Sequence, residues 1–244
     1  MNIILKISKI DLMRKLVNNI NSTFKKNIIL IICVLLIGCA SIPRGDRFWY
    51  RKEKNYARKE IIKSAYKVKG KDPDYHEKLK VYDPMKDKKK SYDIDCSGFV
   101  RAVFVMAGID ELEDKINNIS GNSGVVRIWR LIKSKNKIFG KNLKPKKGDM
   151  IFFNNTYDKN GNRKNDDNLT HMGIIESVDR KGTIKYIHST TSEGVIVSYA
   201  NPYHPNNVKY NTYLRAEKSK DPKGTRYFSG GLIDSYGTIF DVPK

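Results

Sequence analysis

Between Ser91 and Gly108 the chain passes from a polar, lysine-rich approach into an amphipathic run. Val100, Val103, Phe104 and Ala107 recur there at helical spacing, with Gly108 as the stop and Asp95 or Ser97 as the candidate N-cap. The same periodicity predicts a helix over Phe48–Lys69, with Ile61, Ile62, Ala65 and Tyr66 on one side and Gly70 at its end. It predicts another through Val125, Ile128, Trp129 and Ile132, where Trp129 reads as core packing. Period-two patterning predicts strands at Met150–Phe153, His171–Ile175, Thr183–His188 and Val195–Tyr199, with Gly182 turning the second into the third. Lys71–Lys90, with Pro73, Pro84 and the run Asp87-Lys88-Lys89-Lys90, reads as a solvated loop. Beyond Asn201 prolines interrupt the pattern, and Tyr227–Lys244 reads as a last strand and loop without a functional signal. There are no internal repeats.

One segment stands apart. Lys25 and Lys26 precede the unbroken apolar run Ile28–Ile37, and Gly38, Cys39, Ala40 and Ser41 follow. A basic flank, a short apolar core and small residues describe a secretory signal, and the run is short for a transmembrane span. An uncleaved signal anchor is the alternative, and a start at Met13 fits as well as one at Met1. Leu36-Ile37-Gly38-Cys39 resembles the lipobox of bacterial lipoproteins. That resemblance implies lipidation of Cys39, membrane attachment through the lipid, and a cell-envelope location. Ala40 in place of aspartate points to the outer membrane where there are two. The expected organisation is a signal peptide over 1–38, a tether over 39–47 and one domain over 48–244.

Composition narrows the partners. The 244 residues carry a formal charge of +21, and residues 1–38 hold six basic residues and one acid, so +16 remains beyond them. Such a surface suits a polyanionic neighbour. Nucleic acid is not expected, because no nucleic-acid-binding module is present; anionic lipid or cell-wall polymer fits an exported chain. Of three cysteines, Cys33 lies in the leader, Cys39 closes it, and Cys96 is alone in the expected mature domain. No intrachain disulfide framework is then available.

Cys96 opens the predicted helix. A helix N-terminus favours thiolate over thiol, and a thiolate is the form a cysteine nucleophile needs. The bland alternative is a small buried hydrophobe. His171 opens one strand and His188 ends its partner, close enough across an antiparallel pair for one ring to orient the other. His76 and His204 sit in polar loops. Within the polar insertion 154–168, Asp158, Asn160, Asn162 and Asp166 have the odd spacing of a calcium loop. Arg163 and Leu169, however, stand where such a loop has glycine and glutamate.

Asp95-Cys96-Ser97-Gly98 followed by an apolar helix resembles the nucleophile motif of the NlpC family (NlpC/p-sixty), papain-like peptidases of the bacterial cell wall. The Pro145–Asp149 turn before a strand, His171 in HMGII and His188 in YIHST match further positions. The resemblance covers about residues 60–199. It implies an α+β fold, a central antiparallel sheet with the nucleophile helix packed against it. It implies hydrolysis of peptidoglycan stem peptides at the γ-D-glutamyl–diamino acid bond, with no metal or cofactor and with the protein a monomer. Cys96 would be nucleophile, His171 general base and acid, and His188 the orienting residue. The Cys96 backbone N–H would serve the oxyanion. Family members add a tyrosine hydroxyl from a segment with paired glycines; no Gly-Gly occurs here, and Tyr82 is nearest by spacing, with Tyr75 and Tyr92 as rivals. A muramoyl amidase or a lipid-directed acyltransferase on the same fold, and a non-enzymatic basic lipoprotein, are the alternatives.

Overall fold

The computed structural model describes residues 44–70, 78–110, 112–216 and 218–243. The leader, Cys39, Tyr75 and His76 lie outside them. The chain divides into two units, Met1–Arg51 and Lys52–Lys244; the architecture below is that of the second.

Helix α1 (Arg44–Val68) buries Ile61, Ala65 and Val68 and ends at Gly70, whose φ of 75° is the left-handed conformation glycine adopts without strain. The Gly70 N–H then donates to the Val195 carbonyl, tying the helix end to the sheet. A hairpin follows, β1 (Leu79–Asp83) with β2 (Lys88–Tyr92). This corrects the expected loop for residues 79–90; residues 71–77 lie outside the described residues. Leu79 and Val81 alternate inward, and the lysine run forms the solvent-facing partner strand. Lys90 also neutralises the buried Asp83 at 2.8 Å, so the charge run is partly structural.

Helix α2 (Cys96–Met106) has the expected bounds and buries Phe99, Val100, Val103 and Phe104 completely. Each such side chain contributes roughly 1.5–3 kcal/mol relative to exposure. A single turn, α3 (Glu113–Ile116), leads to α4 (Gly124–Ser134), capped by the Ser123 hydroxyl on the Val126 N–H. Trp129 is half-buried against the core, and its Nε1–H donates to Ser235 Oγ at 3.0 Å.

Six antiparallel strands form the main sheet: β3 (Ile138–Phe139), β4 (Met150–Phe153), β5 (His171–Val178), β6 (Ile184–Thr190), β7 (Gly194–Ala200) and β8 (Ile233–Gly237), which follows the short helix α5 (Ser229–Leu232). Their order is β3-β8-β4-β5-β6-β7. The last strand therefore lies inside the sheet, between β3 and β4. Met150, Phe152, Met172, Ile174 and Ile187 face α2 and α4; Ile151, Phe153, Ile175, Tyr186 and Tyr236 form the core of the other face. The fold is α+β with the nucleophile helix against an antiparallel sheet, as expected.

Arg58 locks α1 to this frame. Its guanidinium donates to Asp149 Oδ1 at 2.8 Å and to the Lys147 carbonyl, and it stacks over Phe240. Thr238 and the Lys146 N–H complete the shell of the wholly buried Asp149. Burial pushes the Asp149 pKa up, against the opposing pull of Arg58.

Candidate active site

Helix α2 starts where it does because Asp95 is its cap. Asp95 Oδ1 accepts from the Ser97 N–H at 2.8 Å, the Gly98 N–H at 2.7 Å and the Ser97 hydroxyl at 2.8 Å. Of the two expected caps, Asp95 fills the role and Ser97 supports it. Gly98 is required by space, since an added Cβ would lie 1.8 Å from the Asp93 carbonyl oxygen.

Two ties hold this helix start against the strands that carry the histidines. The Ser189 hydroxyl, one residue after His188, donates to the Ile94 carbonyl. The Met172 N–H, one residue after His171, faces the Cys96 sulfur, as do the N–H groups of Ser97 and of Cys96 itself. The Asp95 carboxylate, next to Cys96, acts on the His171 ring and favours its protonated form. Cys96 and His171 thus share one corner, and both are half-buried.

From that corner a chain of side chains runs inward across three strands. His171 Nε2 lies 2.7 Å from His188 Nδ1, with the rings edge to face. His188 Nε2 lies 2.9 Å from Ser198 Oγ on β7. His188 is 1% exposed and Ser198 4%. The residues come together because His171, Gly173 and Ile175 share a face of β5, His188 and Tyr186 a face of β6, and Ser198 and Ala200 a face of β7. Gly173 makes room: a Cβ there would meet the Ile187 carbonyl at 2.8 Å and His188 Cβ at 3.1 Å.

Ser198 was not anticipated. Its signal was present: a polar residue on the core-facing parity of an otherwise apolar strand, with Ala200 two residues on.

Electrostatics alter one expectation. Burial pushes the Cys96 thiol up to about 12; Asp95 adds to the rise, and the surrounding N–H groups only partly oppose it. Burial likewise lowers His171 to about 4, with Asp95 pulling the other way, and pushes His188 well below the usual imidazole value. The helix dipole alone predicted a resting thiolate. Burial thus opposes the preference for thiolate that the helix dipole supplies. Proton transfer then creates two adjacent opposite charges, whose attraction offsets much of the lost hydration.

The remaining candidates fall elsewhere. Tyr82 does not serve this corner: it is 53% exposed, and its hydroxyl is bound to Asp87 in the β1–β2 turn. Tyr92 is buried beneath the Arg101 guanidinium, with Glu113 close to its hydroxyl. His204 is exposed and packs on Tyr210. In the insertion, Asp158 accepts the Gly161 and Arg163 N–H groups and Asp166 accepts the Asn160 and Asn162 amides, so the loop folds on its own carboxylates. Among the described residues no three His, Cys, Asp or Glu side chains are grouped to hold a metal ion.

Beside Asp95 and Ser97 opens a cavity of about 260 Å³. Asp93, Asp95 and Glu113 bring carboxylates to it, and Arg101 and Arg127 bring guanidiniums. Arg101 is held by Glu113 through two bonds of 3.0 and 3.1 Å.

No curated protein and no solved structure matches the chain. The model of the NlpC/P60 family matches residues 64–213, which include Cys96, both histidines and Ser198. That match spans more than half of the sequence, and the chain belongs to the NlpC/P60 family, the cysteine peptidases of the cell wall.

Proposed function

We propose that the protein is a lipid-anchored endopeptidase that cleaves peptidoglycan stem peptides at the γ-D-glutamyl–diamino acid bond. The observation that carries the mechanism is the buried chain His171–His188–Ser198 leading away from the corner that holds Cys96. Its hydrogen bonds fit a tautomer that leaves His171 able to act as base. If His188 carries its proton on Nε2 and donates it to Ser198 Oγ, its Nδ1 accepts from His171 Nε2–H. His171 Nδ1 is then left with a lone pair for the thiol.

In the first step His171 Nδ1 takes the thiol proton as the sulfur attacks the scissile carbonyl. The resulting imidazolium keeps its Nε2–H on His188 and is favoured by Asp95. Charge on the carbonyl oxygen is met by the backbone N–H of Cys96 at the helix start. Collapse breaks the C–N bond, and the Nδ1 proton goes to the leaving amine. Water, deprotonated by His171, then cleaves the thioester and returns the proton to sulfur. The cavity beside Asp95 suits a substrate with both amine and carboxylate groups, which a glutamyl–diamino acid peptide has. Anchoring through Cys39 would keep the enzyme beside that substrate.

Digestion of purified peptidoglycan, with mass spectrometry of the new termini, tests the reading. A free diamino-acid amine is expected. A free lactyl carboxylate would assign a muramoyl amidase instead. Cys96→Ala and His171→Ala are expected to abolish release while the fold persists, and activity retained by either refutes the mechanism.

A further inference from the structure

The β5–β6 turn, at the other end of the strand from His171, builds a second cavity of about 260 Å³. Eight residues of β5 separate the two ends, about 23 Å at strand rise. Lys141, Lys144, Arg180 and Lys181 line it, and no carboxylate does. The nearest acid in sequence, Asp179, is turned into its own turn, where Oδ1 accepts the Lys181 and Thr183 N–H groups at 2.8 Å each.

No salt bridge closes on these cations among the described residues. Lys141 Nζ donates to the Ile233 carbonyl and Lys144 Nζ to the Asp179 carbonyl, which fixes both chains but leaves both charges. The Arg180 guanidinium has no hydrogen bond or ion pair among the described residues, and the Lys181 ammonium lies over the Tyr210 ring at 6.0 Å, with the Asp179 carboxylate near enough to feel its charge. At the base lies Tyr236, wholly buried, whose hydroxyl has no hydrogen-bond partner among the described residues. Leaving a buried hydroxyl unmatched costs free energy, and a ligand oxygen would satisfy it.

The walls are rigid. Asn201 is buried and its amide donates to the Lys181 carbonyl and Thr183 Oγ1, while its carbonyl oxygen accepts from the Tyr203 and His204 N–H groups. The Tyr203 ring lies so close to Gly182 that a Cβ there would sit 2.5 Å from it. Gly182, at φ 80°, is therefore needed both for the turn and for the aromatic wall.

We propose that this cavity is a binding site for a phosphate group carried on a small polyol or sugar unit, separate from the catalytic corner. Four cations and a buried phenol match a doubly charged oxyanion better than a carboxylate. The aromatic and proline rim fits the carbon skeleton of the attached unit. The volume lies below the roughly 300–1,000 Å³ of pockets for drug-sized ligands, which limits the occupant to one such unit.

Isothermal titration of the full chain with glycerol 3-phosphate, against glycerol as the neutral control, tests this. Saturable, salt-sensitive binding of the phosphate and none of glycerol is expected. Arg180→Gln with Lys181→Gln should weaken it at least about tenfold, and Tyr236→Phe about threefold or more, with hydrolysis of soluble stem peptide unchanged. Flotation with phosphatidylglycerol and phosphatidylcholine vesicles, carried out on protein lacking the lipid anchor, separates the sources. Capture by the anionic vesicles that the double variant loses assigns a lipid headgroup; phosphate binding without capture assigns a soluble or wall-polymer phosphate. Absence of saturable binding, or equal binding by the parent and both variants, overturns the site without touching the peptidase reading.

Discussion

Ser198→Ala removes one oxygen at the far end of the histidine chain, two side chains from the sulfur. Its effect follows from burial. His188 is 1% exposed, so a ring N–H deprived of its acceptor finds no water. Leaving that donor unmatched costs about 1–3 kcal/mol. His188 escapes the cost by moving its proton to Nδ1, where it donates to His171 Nε2. That switch puts the His171 proton on Nδ1 and removes the lone pair the thiol requires. The reactive tautomer then falls by the same free energy, roughly 5- to 150-fold at 1.4 kcal/mol per tenfold. Steady-state kinetics on a stem peptide should show kcat down about 10- to 100-fold with KM within about twofold, because Ser198 does not reach the substrate. Ser198→Thr, which keeps the oxygen, should recover most of the loss, and thermal melting should show both variants folded. A folded Ser198→Ala enzyme with kcat within about threefold of the parent would refute the relay, as would an effect confined to KM.

Three further outcomes are expected. Because burial holds the Cys96 thiol near 12, iodoacetamide labelling of the Cys96 peptide, read by mass spectrometry, should keep rising with pH beyond 9; a plateau reached by pH 7 would mean a preformed ion pair. His171 titrates near 4 when folded but near 6.5 when unfolded, so between those values the unfolded chain binds more protons. Its contribution is full above pH 6.5 and is lost as pH falls to 4, about 3 kcal/mol, with His188 acting in the same direction. Urea unfolding at pH 7.5 and 4.5 should show the drop, and His171→Gln should shrink it; an undiminished drop in that variant would refute the assignment. Arg58→Met strands the Asp149 carboxylate in the core and should destabilise by about 3–5 kcal/mol in urea unfolding, whereas a loss under 1 kcal/mol would show that the pair is dispensable.

Local pattern carried much of this structure. The start and stop of α2, its cap narrowed to Asp95 or Ser97, the Gly182 turn and the pairing of the two histidine strands follow from periodicity and turn chemistry within short windows. Leu79 and Val81 were missed as strand residues because the lysine run opposite them masks an alternation only two residues deep. Ser198 was missed for another reason. A serine on a strand gains meaning only when the neighbouring register is known, and register between β6 and β7 is a tertiary fact. The position of β8 between β3 and β4 is likewise invisible locally, since no turn signal reports which edge a returning strand will choose. The opposing pull of burial on Cys96 is hidden for a similar reason, since a helix dipole can be read from sequence, whereas desolvation cannot.

That returning strand constrains how the molecule can be made. Among the described residues β3 pairs only with β8, and β4 has one edge unpaired until residues 233–237 arrive. The sheet therefore cannot close until residues 233–237 are available to pair. Chains released early, a few residues short of Ile233, would carry an open strand edge prone to aggregation.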